Sequence, residues 1–288
     1  MNSTQPLPVA GPVPGVVMQV VLPTPKELKV TAVIITYNEE KIIRKTLSKL
    51  DWCDEIVIVD SYSTDRTVAI CREFGCDIYS RTFDGYGAQK QFAIARATND
   101  WVLCIDADEI PSDKLIEEIR SIRPDTAFAG FSFPMNLVFL DKEFKHGKES
   151  GRHFLRLFNR QKGGVTPEKV HETFYVEGEI KKLDQPILHH SYTNVHQCIE
   201  KLNRYSALSA EISYGKGKNK PVVAVLFGLP FNFFKYFLLE RNCLNGMQGF
   251  YWSVFITYYH FLKYVKLREL NRTLGQPVKA AALYVPNH

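Results

Sequence analysis

Residues 101–113 read WVLCIDADEIPSD, and they decide how the rest of the chain is understood. Five mostly apolar residues, Trp101 to Ile105, run straight into Asp106, Asp108 and Glu109. An apolar run of this length bounded by polar residues is a buried strand. Carboxylates so close disfavour one another's ionisation, so a positive partner is expected nearby. Asp106 and Asp108 are two apart and can lie on one side of the chain. Two carboxylates placed so can hold a hard divalent cation by oxygen while leaving positions for phosphates. The plainer alternative is a helix-capping Asp108 beside a solvated Asp106. Glu109 is assigned to the following turn, with Pro111 and Ser112 opening the next helix.

Working outward, the same rhythm recurs. Lys29–Ile35 (KVTAVII) is a β-branched strand ending in TYNEE, and 39–50 reads as a helix with Asn38 as its cap. EIVIVD (55–60) is a second strand, and 63–75 a helix closed by Gly75. CDIYS is a short third strand; Tyr86–Ala97 and Ser112–Ile122 are further helices. Strands alternating with helices predict an α/β domain built on a mostly parallel sheet. Ligands then bind beyond the carboxyl ends of the strands, where TYNEE, DSYSTD and DADE fall together. Asp65 is read as a local cap, whereas Asp60 ends an apolar strand and is a site candidate. After Pro124 strands follow one another without helices, so residues 124–213 form a mixed second half, ending in an amphipathic helix over 194–213.

The two ends differ from this middle. Residues 1–28 carry six prolines and no basic cluster before their short apolar part, and are expected to be a disordered tail rather than a signal peptide. Six cysteines show neither CxxC nor zinc spacing, which fits packed thiols in a reduced cytoplasm. From Tyr214 onward ten Lys/Arg stand against two acids, a net +8; the whole chain is +5, leaving −3 for the remainder. This basic quarter holds two apolar stretches, Val222–Leu239 and Phe250–Val265, interleaved with aromatics and lysines. They suit helices lying at an anionic membrane surface; a packed helical subdomain and true spanning are the alternatives. A nucleic-acid partner is not expected. The division is therefore 1–28, a domain over 29–213 cut at 123/124, and a helical appendage over 214–288.

The ordered motifs VIITYNEEKIIRKTLSKL, EIVIVDSYSTDRT and WVLCIDADE resemble the inverting family 2 glycosyltransferases, which have the GT-A nucleotide-sugar fold. HFLRLFNR, VHETFYVEG, ILHHSY and KLNRY extend the likeness toward the lipopolysaccharide-core glucosyltransferases. The resemblance implies that Thr36, Tyr37, Asn38 and Glu39 line the nucleotide pocket and that Asp60 recognises a uracil edge. It implies that Asp106 and Asp108 are the DXD pair for Mg²⁺ or Mn²⁺ bridging a diphosphate, with His189 or His190 as a third contact. Inverting relatives often carry their general base in an ED pair, which is lacking here; Glu172 in VHET is the candidate, Asp141 the runner-up, and His171 a neighbour. Lys90 opens a helix whose N-terminal dipole favours phosphate, unless it is a solvated surface lysine. Arg156 and Arg160 could face the acceptor or diphosphate.

The expected activity is metal-dependent transfer of a hexose, glucose foremost, from a UDP-sugar to a glycolipid or oligosaccharide of lipopolysaccharide-core type. The enzyme would work in the cytoplasm, peripherally on the inner membrane. A nucleotide-sugar sensor without catalysis and a nucleotidyltransferase are the rivals; the latter expects a Gly-rich basic loop where TYNEE is acidic.

Overall fold

The computed structural model describes residues 28–167, 172–192, 194–219 and 221–274. The proline-rich stretch through residue 27, His171, and the last residues of the basic tail lie outside the described residues.

The first half is the alternating α/β unit that the apolar runs dictate: β1 (Val30–Thr36), α1 (Ile43–Leu47), β2 (Glu55–Asp60), α2 (Thr67–Glu73), β3 (Asp77–Ser80), α3 (Tyr86–Arg96) and β4 (Trp101–Asp106). β5 (Glu109–Pro111) and α4 (Asp113–Arg120) follow. Strands β3-β2-β1-β4 pair in parallel. Because strand side chains alternate, β1 and β4 feed two cores at once. Val30, Ala32, Ile34, Trp101, Leu103 and Ile105 meet Ile43, Leu47, Ile70, Leu115 and Ile119 of α1, α2 and α4. Val33, Val102 and Cys104 meet Ala93 and Ile94 of α3 on the other face.

The second half completes the sheet with β6 (Gly130–Phe139), β7 (Lys142–Glu143), β8 (Arg152–Asn159), β11 (Ile180–Lys182) and β12 (Ile187–Tyr192). The path continues β4-β8-β6-β12-β5, with β7 and β11 also on β6. β8 runs antiparallel to β4, and β12 antiparallel to β5. A separate hairpin pairs β9 (Gly163–Val165) with β10 (Phe174–Val176).

Three helices close the chain: α5 (Val195–Gly215), α6 (Val222–Phe234), continued by a π-turn over Lys235–Leu239, and α7 (Gly246–Thr273), entered through a 3₁₀ turn at Asn242–Asn245. α7 lies along α5, with Ser209 Oγ 2.7 Å from Tyr259 Oη and Lys266 Nζ donating to the Asn203 carbonyl at 2.6 Å. It also enters a core of its own: Trp252 packs with Leu137, Phe139, Phe144, Cys198 and Leu202. Among the described residues no helix is long and apolar enough to cross a membrane. All six cysteines are free thiols, as expected.

Two local expectations change and one holds. The helix predicted over 39–50 forms only Ile43–Leu47, because the preceding residues turn back onto the next loop. Asn38 does not cap it: its backbone sits at φ 55°, and its Oδ1 accepts from the Thr64 amide at 2.8 Å. Asp65 does act locally, accepting from the Thr67 amide at 2.9 Å and the Glu40 amide at 3.1 Å.

Candidate active site

Sheet register gathers the site. Cα pairing sets Asp60 opposite Thr36, and Asp106 opposite Ile35, so the carboxyl ends of β1, β2 and β4 finish level. The turn carrying the acids is tethered on two sides. Thr46 Oγ1 donates to the Ala107 carbonyl at 2.5 Å, and the His190 amide donates to the Asp108 carbonyl at 2.8 Å. Pairing of β5 with β12 sets His189 opposite Glu109 and brings its Nε2 to 3.4 Å from Asp108 Oδ2.

The positive partners that Trp101–Asp113 demands come from two distant elements. Lys90, one turn into α3, is only 2% exposed. Its Nζ lies 2.9 Å from Asp106 Oδ1, in Coulomb contact outside hydrogen-bond geometry, and donates to Glu172 Oε1 at 2.8 Å. Arg156 of β8 donates to Glu109 Oε1 at 2.5 Å and stands 3.8 Å from Asp106 Oδ2. Lys90 is thus neither a surface lysine nor placed in the first turn of its helix. Glu109 is not a turn residue either: it begins β5, is buried, and its Oε2 accepts from the Asp106 amide at 3.0 Å. A carboxylate that accepts both a guanidinium and a backbone amide can be buried where an unpaired one could not.

The electrostatics follow from that packing. Loss of solvent works against the ionised form of Asp106, but Lys90 and then Arg156 outweigh it and hold the carboxyl below its usual range. Asp108 is likewise held low against its burial by the hydrogen bond and charge of His189. Burial opposes protonation of His189, yet Asp108 raises it to about 9. His190 goes the other way, to about 4, through burial and the nearby Lys45. Glu39 rises to about 7, first by burial and then by the charge of Asp108.

The remaining sequence candidates separate. Thr36 is buried and its Oγ1 has no hydrogen-bond partner among the described residues; Tyr37 is exposed at the rim. Asp60 is buried with both oxygens taken by Ser63, whose amide and hydroxyl donate at 2.8 and 2.5 Å. Asp141 sits at φ 60° in the turn between β6 and β7. Arg160 leaves the site altogether, its Nε donating at 2.9 Å to the Asn99 carbonyl before the start of β4. Arg156 faces Glu109 and Asp106 rather than open solvent.

Beside the acids opens a cleft of about 650 Å³, lined by Asp106, Arg156 and His189 together with Tyr192, Tyr205 and Trp252. Glu149 and Arg152 also line it. Trp252 and Glu149 were not expected here, whereas Tyr205 closes the KLNRY segment, for which a structural or docking role is expected. For Arg156 a signal existed: a charge inside the apolar run HFLRLFN marks a buried ion pair.

Against this geometry, the profile of the family "Glycosyl transferase family 2" matches residues 31–171. A glycosyltransferase of Rickettsia typhi, itself uncharacterized, is 31% identical over 261 residues, covering 84% of this chain and 88% of that one. The chain is a family 2 glycosyltransferase. The lipopolysaccharide core biosynthesis glycosyltransferase LpsC of Rhizobium meliloti is 29% identical over 263 residues, covering 87% of this chain and 96% of that one. The crystal structure of Staphylococcus aureus TarS, residues 1–349, aligns with 84% of this chain and 92% of that one, at 15% identity and a TM-score of 0.43. This glycosyltransferase has the mixed, curled, mostly parallel GT-A-type sheet expected of it, with a C-terminal helical region. Its family membership sets aside the nucleotidyltransferase and sensor alternatives.

Proposed function

We propose that the enzyme transfers a hexose, glucose foremost, from a UDP-sugar to a lipopolysaccharide-core-like or other membrane-associated glycan, with inversion at the transferred carbon. The observation that carries this reading is the level convergence of Thr36, Asp60 and the Asp106–Asp108 turn beside an aromatic-walled cleft. The first is where a nucleotide diphosphate binds in a parallel α/β sheet. The second is large enough for a saccharide acceptor. The name of LpsC supports the acceptor class. The nucleoside would lie against Thr36, Tyr37, Asn38, Glu39 and Asp60, the last acting through the Ser63 loop it anchors.

Among the described residues no three His, Cys, Asp or Glu side chains are arranged to hold a metal by themselves. The donor set nevertheless fits Mg²⁺ or Mn²⁺, which are commonly bound by one or two carboxylates with phosphates completing the sphere. Asp108 would hold the ion directly, and His189 would join it in its neutral form, the cation displacing the proton that Asp108 otherwise favours there. Asp106, already paired with Lys90 and Arg156, would stand beside it. When bound, the cation supplies charge stabilisation to the departing diphosphate.

Lys90 fixes the line of carboxylates from Asp106 to Glu172. Inversion requires a base on the acceptor hydroxyl, and Glu172 fills that role. Contact with Lys90 engages Oε1 and leaves Oε2 to meet the acceptor. The test is release of UDP from UDP-glucose with a saccharide acceptor and Mn²⁺. Removing a general base costs about 10²- to 10⁴-fold in rate. Glu172→Gln should lose that much transfer while UDP-glucose still protects it against thermal unfolding. Undiminished transfer by Glu172→Gln and Asp108→Asn would sink the assignment.

A further inference from the structure

The sequence treats the two apolar stretches of the C-terminal quarter alike, but the structure does not. α7 sinks Trp252, Ser253 and Thr257 into the protein, whereas among the described residues α6 places none in a buried core. Val223, Leu226, Phe227, Phe231 and Phe234 are all more than half exposed, Phe227 by 73%. At 100° per residue they occupy one half of the helix. Its other side turns Phe233 onto Phe250 of α7, 5.7 Å between ring centres. The π-turn extends the exposed surface through Leu238 and Leu239. Exposed apolar surface this continuous marks an interaction site.

We infer that α6 and its π-turn form a wedge that lies in the headgroup region of an anionic bilayer, with α7 as the strut that fixes it to the catalytic domain. Charge names the occupant. Residues 212–239 contain no acid, while Lys216, Lys218, Lys220 and Lys235 accompany the wedge. A protein partner covering an apolar face needs no such uniform positive sign, and lysines beside an amphipathic helix are attracted by anionic headgroups. The helix has 13 residues and Pro230 inside it, dimensions for lying in an interface rather than crossing one.

The wedge also reaches the cleft. Lys148, a cleft residue, pairs at 2.7 Å with Glu240, just after the π-turn, and lies 5.8 Å above the ring of Tyr236 within it. Seating α6 in lipid therefore brings the mouth of the cleft to the bilayer surface, where a lipid-borne acceptor presents its sugar. This last point rests on the cleft being the acceptor site; lipid binding itself does not.

The experiment is co-sedimentation of the full chain with vesicles of phosphatidylcholine alone or mixed with phosphatidylglycerol, at low and high salt. Wild type should partition onto the mixed vesicles and be released by salt. Phe227→Glu/Phe231→Glu, at solvent-exposed positions, should bind about tenfold or more weakly. Its unchanged circular dichroism and melting temperature would show that it folds. Wild type remaining in the supernatant, or the variant binding undiminished, overturns the proposal. So does a wild-type dimer in solution that the variant dissociates, since a second copy then covers the face. UDP-glucose hydrolysis without vesicles is measured in parallel, and its absence from wild type would count against the donor reading while leaving the lipid result intact.

Discussion

Lys90 is the residue on which the acids depend. It is one of the largest fully buried side chains, and it touches Asp106 and Glu172 at once. Burial works to deprotonate it, but the charge of Asp106 prevails and keeps it an ammonium. Removing one member of a buried charge cluster leaves the others unpaired, which costs about 3–5 kcal/mol. Lys90→Met should therefore lose stability of that order in denaturant unfolding, although methionine fills similar volume. Lys90→Arg retains the charge and should lose less. Equal unfolding of Lys90→Met and wild type would mean that Asp106 and Glu172 do not rely on this ammonium. Arg156 pairs with Glu109 as Lys90 does with Asp106, but burial still raises the Glu109 carboxyl; Asp106, Glu109 and Arg156 all line the cleft.

Among the elements, α7 shows how a close approach fixes position. A Cβ added at Gly249 would stand 1.9 Å from the Asn242 carbonyl oxygen, which is backbone and cannot swing away. Just before it, Asn245 Oδ1 accepts from the amides of Lys145 and His146 at 3.1 and 3.3 Å, and its Nδ2 donates to the His146 carbonyl at 2.9 Å. The start of α7 is therefore bound to the loop after β7. Gly249→Ala forces these apart and should cost about 1–3 kcal/mol, the range of overpacking. Its melting temperature against wild type checks this; an unchanged value would show that the 3₁₀ turn yields freely. The helix elements were legible in two places: Tyr86–Arg96, which has no side-chain cap, and Asp113–Arg120, capped by Ser112, match expectation closely. They were not legible at 39–50, where a loop contact at Asn38 overrode the periodic pattern.

For the whole molecule, Trp252 joins the C-terminal helices to the catalytic sheet. It packs on Phe139 and Tyr192, with ring centres 5.4 and 5.6 Å away, and walls the cleft. A boundary drawn at residue 214 by charge and composition is crossed by this contact and by the length of α5, which ends at Gly215. Trp252→Ala removes a buried indole and should cost about 3–5 kcal/mol. It should also weaken acceptor use more than donor hydrolysis, because the residues proposed to bind the donor lie at the ends of β1, β2 and β4. Calorimetric unfolding with paired transfer and hydrolysis assays would decide; equal loss of both reactions would deny the separation.

The sequence by itself determined where strands end and which residues stand at those ends. Apolar runs of five or six residues and a period of two are local properties, and they place Thr36, Asp60, Asp106 and Asp108 at one sheet edge. It also showed that WVLCIDADEIPSD needs positive charge. Only the tertiary structure decided which charge: Lys90 from α3 and Arg156 from β8, at chain separations that no local pattern encodes. The same holds for the cleft, whose aromatic wall comes from α5 and α7 packed across the sheet. Side-chain direction is set by neighbours along the chain, whereas burial, ion pairing and the volume between elements arise only when distant segments close on one another.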